Sequence, residues 1–315
     1  MRIQSKSDLH TAVAPVYTGQ TPIATCHWQS LANIFLAQGL SEAWLKLGLS
    51  WGCRWDSREI LFGSGRWRAL AQEIFGLRID DHFFPDRETA ERFERDLSER
   101  SLPFVAEIDA FYVPCPYENS QHVVHTVIVL ERSGRHASLL DTTNTPRVVE
   151  YTIERYLAMR EAPCAGRLDQ RRLYASWGPP RKDPSPSQIA ELILEDLRTQ
   201  HGRTSRCFEE FICWIEATRR PINVCRAAAE RFQARLTFAW LADAGVTGAA
   251  QVAALLQDIS DQFYMVHVLA AHPSSGEERP RRRIARLVRD LAEKERFLLG
   301  QLFGTASLSA AESRP

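Results

Sequence analysis

Apolar positions follow two different periods along this chain. Between about residues 102 and 151 they come as short β-branched runs, and after residue 186 they come three and four apart; the first pattern predicts strands and the second helices. Nearer the start, Leu31, Ile34 and Phe35 form one apolar face, which predicts a helix from about 26 to 38, ending near Gly39. Ser41 suits the N-cap of a second helix, with Trp44, Leu45 and Leu47 facing inward. Residues 66–76 read as helix, 78–84 as extended chain, and 86–98 as helix with Phe93 and Leu97 on one face. Phe104, Val105, Ile108, Phe111 and Tyr112 then predict a strand, and the proline-rich run from Val113 to Ser120 a turn-forming loop. Residues 122–130 and 137–140 predict two strands joined by a hairpin turn at Ser133-Gly134. A further strand at 147–151 and a helix at 153–159 complete an α+β first half.

Residues 171–186 carry Arg171-Arg172, Gly178-Pro179-Pro180 and Pro184-Ser185-Pro186, the composition of a linker. Ser185, Pro186 and Gln188 then give an N-cap, a proline at the first helical position and a capping-box partner. Five apolar stripes follow: one from Ile189 to Leu197, a second from Phe208 to Ile215, a third from Val224 to Trp240, a fourth from Val252 to Val266 and a fifth from Ile284 to Leu291. They predict a bundle of about five helices. The expected organisation is a domain over 1–170, a linker over 171–186, a helical bundle over 187–303 and a disordered tail over 304–315.

Composition narrows the class. The chain has 315 residues, 44% hydrophobic and 25% charged, with 39 basic and 39 acidic residues. Balanced charge argues against nucleic acid, and no apolar run approaches a membrane span. Seven cysteines at irregular spacing, without a CxxC pair or zinc-ligand spacing, argue against a disulfide framework and a metal site. Together with a polar N-terminus lacking a signal-peptide core, this predicts a cytoplasmic protein.

The candidate chemistry begins at Cys26. A thiol on a first helical turn feels the positive end of the helix dipole, which favours the reactive thiolate. Gln20, six residues earlier, has a side-chain amide suited to holding an oxyanion beside the sulfur. The competing reading makes Cys26 a small buried apolar residue. Two histidines, His122 and His125, precede the strand at 122–130, and Asp141 closes the next strand. The hairpin sets His125 opposite Asp141, so that the carboxylate fixes the imidazole tautomer and leaves the other nitrogen to a thiol. His122 is the alternative partner; on a strand it points to the opposite face. A cysteine at a helix start, then a histidine and an acid on neighbouring strands, is the papain-like order. The tryptophan- and glycine-rich stretch 51–67, including Trp55, suits a cleft wall as well as an irregular core loop.

The helix from Cys26 to Leu36, the run Pro103-Phe-Val-Ala-Glu-Ile-Asp-Ala-Phe-Tyr, the strand His122-Val-Val-His125-Thr-Val-Ile-Val and Asp141 together resemble the N-terminal domain of the butirosin-biosynthesis H family over about residues 15–165. The helical remainder is similar to the C-terminal part often found with that domain. Thr25 stands where relatives commonly carry a histidine, and His27 follows the cysteine. The resemblance implies a papain-like cysteine acyltransferase. Its acyl donor is the phosphopantetheine arm of an acyl carrier protein, and no other cofactor is implied. Its acceptor is an amine or hydroxyl of a small natural product. In that scheme Cys26 takes the acyl chain as a thioester, His125 is base and then acid, Asp141 orients it, and Gln20 with the Cys26 backbone N–H holds the oxyanion. Trp55, Asp109, Tyr112, Glu118 and His122 are candidates for binding the acceptor, against a reading of Asp109, Tyr112 and Glu118 as ordinary strand and loop polarity.

Arg279, Arg282, Arg283, Arg286 and Arg289 share one face of the last helix, opposite Ile284, Leu287, Val288 and Leu291. That stripe suits an acidic carrier protein, or else is a solvated face balanced by Glu293 and Glu295. The same Cys-His-Asp set also serves a peptidase or thioesterase, and a binding protein without catalysis is the third reading. A homodimer is compatible with the sequence.

Overall fold

A computed structural model describes Ser30, Asn33, Leu40, Leu45 and residues 53–55, 60–62, 67–84, 86–100, 103–114, 118–120, 122–141, 147–161, 171–177, 184–218, 222, 224–272 and 277–304. The chain divides into two compact units: Met1–Trp44 with Gly76–Arg181, and Leu45–Phe75 with Lys182–Pro315. In chain order the elements are β1 (Cys53–Trp55), β2 (Ile60–Phe62), α1 (Trp67–Phe75), β3 (Arg78–Phe84), α2 (Arg87–Glu99), β4 (Phe104–Asp109), a 3-10 turn (Ala110–Tyr112), β5 (Val124–Arg132), β6 (His136–Asp141), β7 (Arg147–Thr152), α3 (Ile153–Glu161), β8 (Arg171–Trp177), α4 (Pro186–Ala217), α5 (Cys225–Asp243), α6 (Ala249–Ala271) and α7 (Glu278–Gly304). No helix among the described residues is long and apolar enough to cross a membrane.

The first unit is mixed helix and sheet. Six antiparallel strands run in the order β3-β8-β4-β5-β6-β7. The β-branched runs of β5 and the Ser133-Gly134 turn make the expected hairpin, closed by the Ser133 N–H on the His136 carbonyl at 2.8 Å. Phe104, Ala106 and Ile108 of β4, Val127 and Val129 of β5 and Ala137 and Leu139 of β6 form a core with Leu97 of α2 and Tyr156 and Met159 of α3. Asp86 caps α2 by accepting the Thr89 N–H at 2.7 Å, and that bond holds its carboxyl below the usual range.

Two expectations are corrected in this unit. Residues 171–177 are not linker: they are β8, hydrogen-bonded between β3 and β4. The arginine pair and the prolines that follow mask a seven-residue strand. The strand expected to reach Tyr112 stops at Asp109, because the Asp109 side chain accepts the Phe111 N–H at 3.0 Å and turns the chain into a 3-10 helix.

The second unit joins the β1–β2 hairpin and α1 to α4–α7. Here the expected first domain is corrected. Residues 45–75 belong with the helices, with Ile60, Ala71, Ile74 and Phe75 buried. Among the described residues after 186 the helices number four rather than about five. The first two stripes lie on one 32-residue helix, α4, whose N-terminus carries the expected capping box at Ser185 and Gln188. No proline interrupts the polar stretch between the stripes, and a single Gly202 costs only about 1 kcal/mol. Ala227, Ala228 and Ala229 of α5 are buried, and Ser260 of α6 donates to the Ala228 carbonyl at 3.0 Å. Arg231 of α5 and Glu295 of α7 form a bidentate ion pair, each side chain only 1% exposed. Cys207 of α4 is disulfide-bonded, which the irregular cysteine spacing does not predict. Of the expected tail over 304–315, Gly304 ends α7 and residues 305–315 lie outside the described residues.

Candidate functional site

The antiparallel register places His125 opposite Ile108, so it shares a sheet face with Ala106, Val127 and Val129. Continuing the β5–β6 register from Ile128 and Leu140 sets Asp141 level with Val127, diagonal to His125 on that face. The side chains meet: His125 Nε2 lies 3.1 Å from Asp141 Oδ1, at 5% and 7% exposure. A carboxylate only accepts, so this contact assigns a proton to Nε2, and in the neutral ring Nδ1 then holds the lone pair. An imidazole oriented by a buried acid is, in its neutral form, suited to accept a proton.

Beside it, Ser30 is helical and fully buried, and its Oγ donates to the Thr126 carbonyl at 3.4 Å. Asn33, also helical and buried, lies three residues on, on the same face as Ser30. The helix whose start the sequence assigns to Cys26 therefore reaches the residue next to His125 on β5. Cys26 and Gln20 themselves lie outside the described residues.

The candidates for acceptor binding divide. His122 belongs to a second His–Asp pair: its Nδ1 lies 2.6 Å from Asp109 Oδ2, and its ring stacks on Phe111 at 4.3 Å. Asp109 is wholly buried while His122 is 57% exposed. Asp109 pairs with Val124, so it lies on the opposite sheet face from His125. Its oxygens accept from the Phe111 N–H and meet His122 Nδ1. Tyr112 lies under the Arg155 guanidinium, 4.8 Å from the ring centre. Glu118 is exposed on the turn 118–120, where Asn119 has φ 53° and donates to the Phe111 carbonyl at 3.0 Å. Trp55 ends β1, which belongs to the second unit.

One cluster was not anticipated from sequence. Glu94 of α2 is fully buried and binds Arg160 of α3 through Nε at 3.2 Å and Nη2 at 3.0 Å. Its other oxygen accepts the Tyr156 hydroxyl at 3.1 Å and lies 3.3 Å from Arg132 Nε. Burial, and then the Glu94 charge, push the Tyr156 phenol far up, so it stays a donor. Ala90, Glu94 and Leu97 share one helical face, and that inward acidic position was the available signal. The cluster ties both helices to the sheet, since Arg160 also donates to the Glu107 carbonyl of β4.

No protein-family model matches this chain, and a comparison with curated proteins also finds no match.

Proposed function

We propose that this protein is a cysteine-dependent acyltransferase with a papain-like first unit. The observation that carries the reading is the buried His125–Asp141 pair, with the Ser30 helix hydrogen-bonded to the adjoining residue of the same strand. In this scheme His125 Nδ1 takes the Cys26 proton. The thiolate attacks the carbonyl of an acyl thioester on a carrier protein, and Gln20 with the Cys26 N–H holds the oxyanion. The C–S bond to the pantetheine arm breaks, and the departing sulfur takes the proton from His125. An amine or hydroxyl of a small acceptor then gives its proton to His125 as it attacks the acyl-enzyme, and Cys26 leaves as thiolate. Asp141 holds the imidazole throughout and stabilises its cationic form.

Acyl-pantetheine thioester is the test substrate. The intact protein gains the acyl mass on Cys26, and an added amine releases it faster than water does. Cys26→Ala and His125→Ala abolish loading, while Asp141→Asn lowers its rate by roughly 10²–10⁴-fold. Release at equal rates with and without amine makes the protein a thioesterase or peptidase. An unloaded, iodoacetamide-inert Cys26 ends the covalent reading.

A further inference from the structure

The outer face of the α6–α7 hairpin combines positive charge with exposed apolar side chains. Arg279, Arg282, Arg283, Arg286 and Arg289 are all exposed on α7. Arg282 pairs with Glu278 of its own helix, and Arg289 with Glu216 of α4 at 2.6 Å. Among the described residues no carboxylate lies within ion-pair distance of Arg279, Arg283 or Arg286. Asp290 and Glu293 continue the face toward the C-terminus, so the excess charge sits in the first half of α7.

On α6, Tyr264, Met265 and Val268 are 42%, 43% and 52% exposed, a cluster on one helical face. Lys294 pairs with Asp258 and fixes the level of the two antiparallel helices. Met265 lies about two turns beyond Asp258, and Arg283 about three turns before Lys294, each on the same edge as its reference residue. The apolar cluster and the free arginines therefore border one seam.

We propose that this seam docks an acidic amphipathic helix of a partner protein. Its carboxylates meet Arg279, Arg283 and Arg286, and its apolar edge covers Met265, Val268 and Tyr264. Arginines with no carboxylate partner among the described residues lose little when they engage such a helix, and attraction between the basic seam and an acidic partner speeds encounter. The surface stands on its own observations; naming the partner as the acyl carrier protein rests on the acyl-transfer reading above.

The test uses the full chain and a fluorescein-labelled apo acyl carrier protein, which binds but presents no thioester. Anisotropy is expected to show binding that weakens with salt. It weakens at least tenfold in Arg279→Glu/Arg283→Glu/Arg286→Glu and in Met265→Asp/Val268→Asp, and not in Arg95→Glu, an exposed site on α2. All these positions are exposed, and unchanged melting curves show that the variants fold. Loading of Cys26 from free acyl-pantetheine is expected to be unchanged in them. A wild-type chain that fails to load from acyl-pantetheine but binds the carrier through this seam removes the acyl-transfer reading and keeps the docking surface. No carrier binding, binding indifferent to both variants, preference for anionic vesicles, or self-association through the seam each overturns the proposal.

Discussion

Asp109 illustrates how one buried carboxylate decides local structure. It stops β4, holds the turn through the Phe111 N–H and clamps the exposed His122 ring against Phe111. Asp109→Ala leaves a backbone donor without its acceptor, and a loss of about 1–3 kcal/mol is expected in urea unfolding. His267 on α6 gives the pH dependence. Burial holds its pKa below the ordinary 6.5, so the unfolded chain binds the proton first. Stability contributed by its neutral form is therefore complete above pH 6.5 and falls as pH drops below it. His267→Gln is expected to flatten the slope of denaturant stability between pH 7 and 5 relative to wild type. At this scale the sequence was informative where geometry is local. A hairpin places His125 near Asp141 whatever surrounds it, whereas the pairing of His122 with Asp109 depends on a turn that only the folded chain reveals.

Among the elements, α2 and α3 are fixed to the sheet by charge as well as by apolar contact. Glu94 neutralises two guanidinium groups, and its removal takes the ion-pair partner from buried Arg160 and leaves Arg132 with Glu91 alone. Glu94→Ala is expected to cost about 3–5 kcal/mol in equilibrium unfolding, against a smaller loss for Glu94→Gln, which keeps an acceptor for Tyr156. Most elements were legible. The β-branched run of β5, the capping box of α4 and the Phe93/Leu97 face of α2 each carry a local signal that tertiary structure did not override. The length of α4 was not legible, because apolar periodicity lapses over its polar middle while the backbone stays helical. Nor was β8, whose partners β3 and β4 lie far away in sequence, so that pairing rather than composition makes it a strand.

For the whole molecule, the division into units departs from the single boundary that proline content suggests. The chain leaves the first unit near Trp44, returns at Gly76 and leaves again after Arg181. A fragment covering 182–315 lacks β1, β2 and α1 of its own unit. It is expected to aggregate or melt without a cooperative transition, and fusing 45–75 to it is expected to restore one, as read by circular dichroism and gel filtration. The place of β8 has a consequence for how the protein is made. A nascent chain that has emerged from the ribosome only as far as β7 holds strand edges on β3 and β4 that pair with β8 in the finished sheet. Translation must run past residue 177 before the sheet becomes continuous, so closure of the first unit waits on the last strand delivered, the kind of long-range pairing that makes folding slow and leaves unfinished chains prone to association.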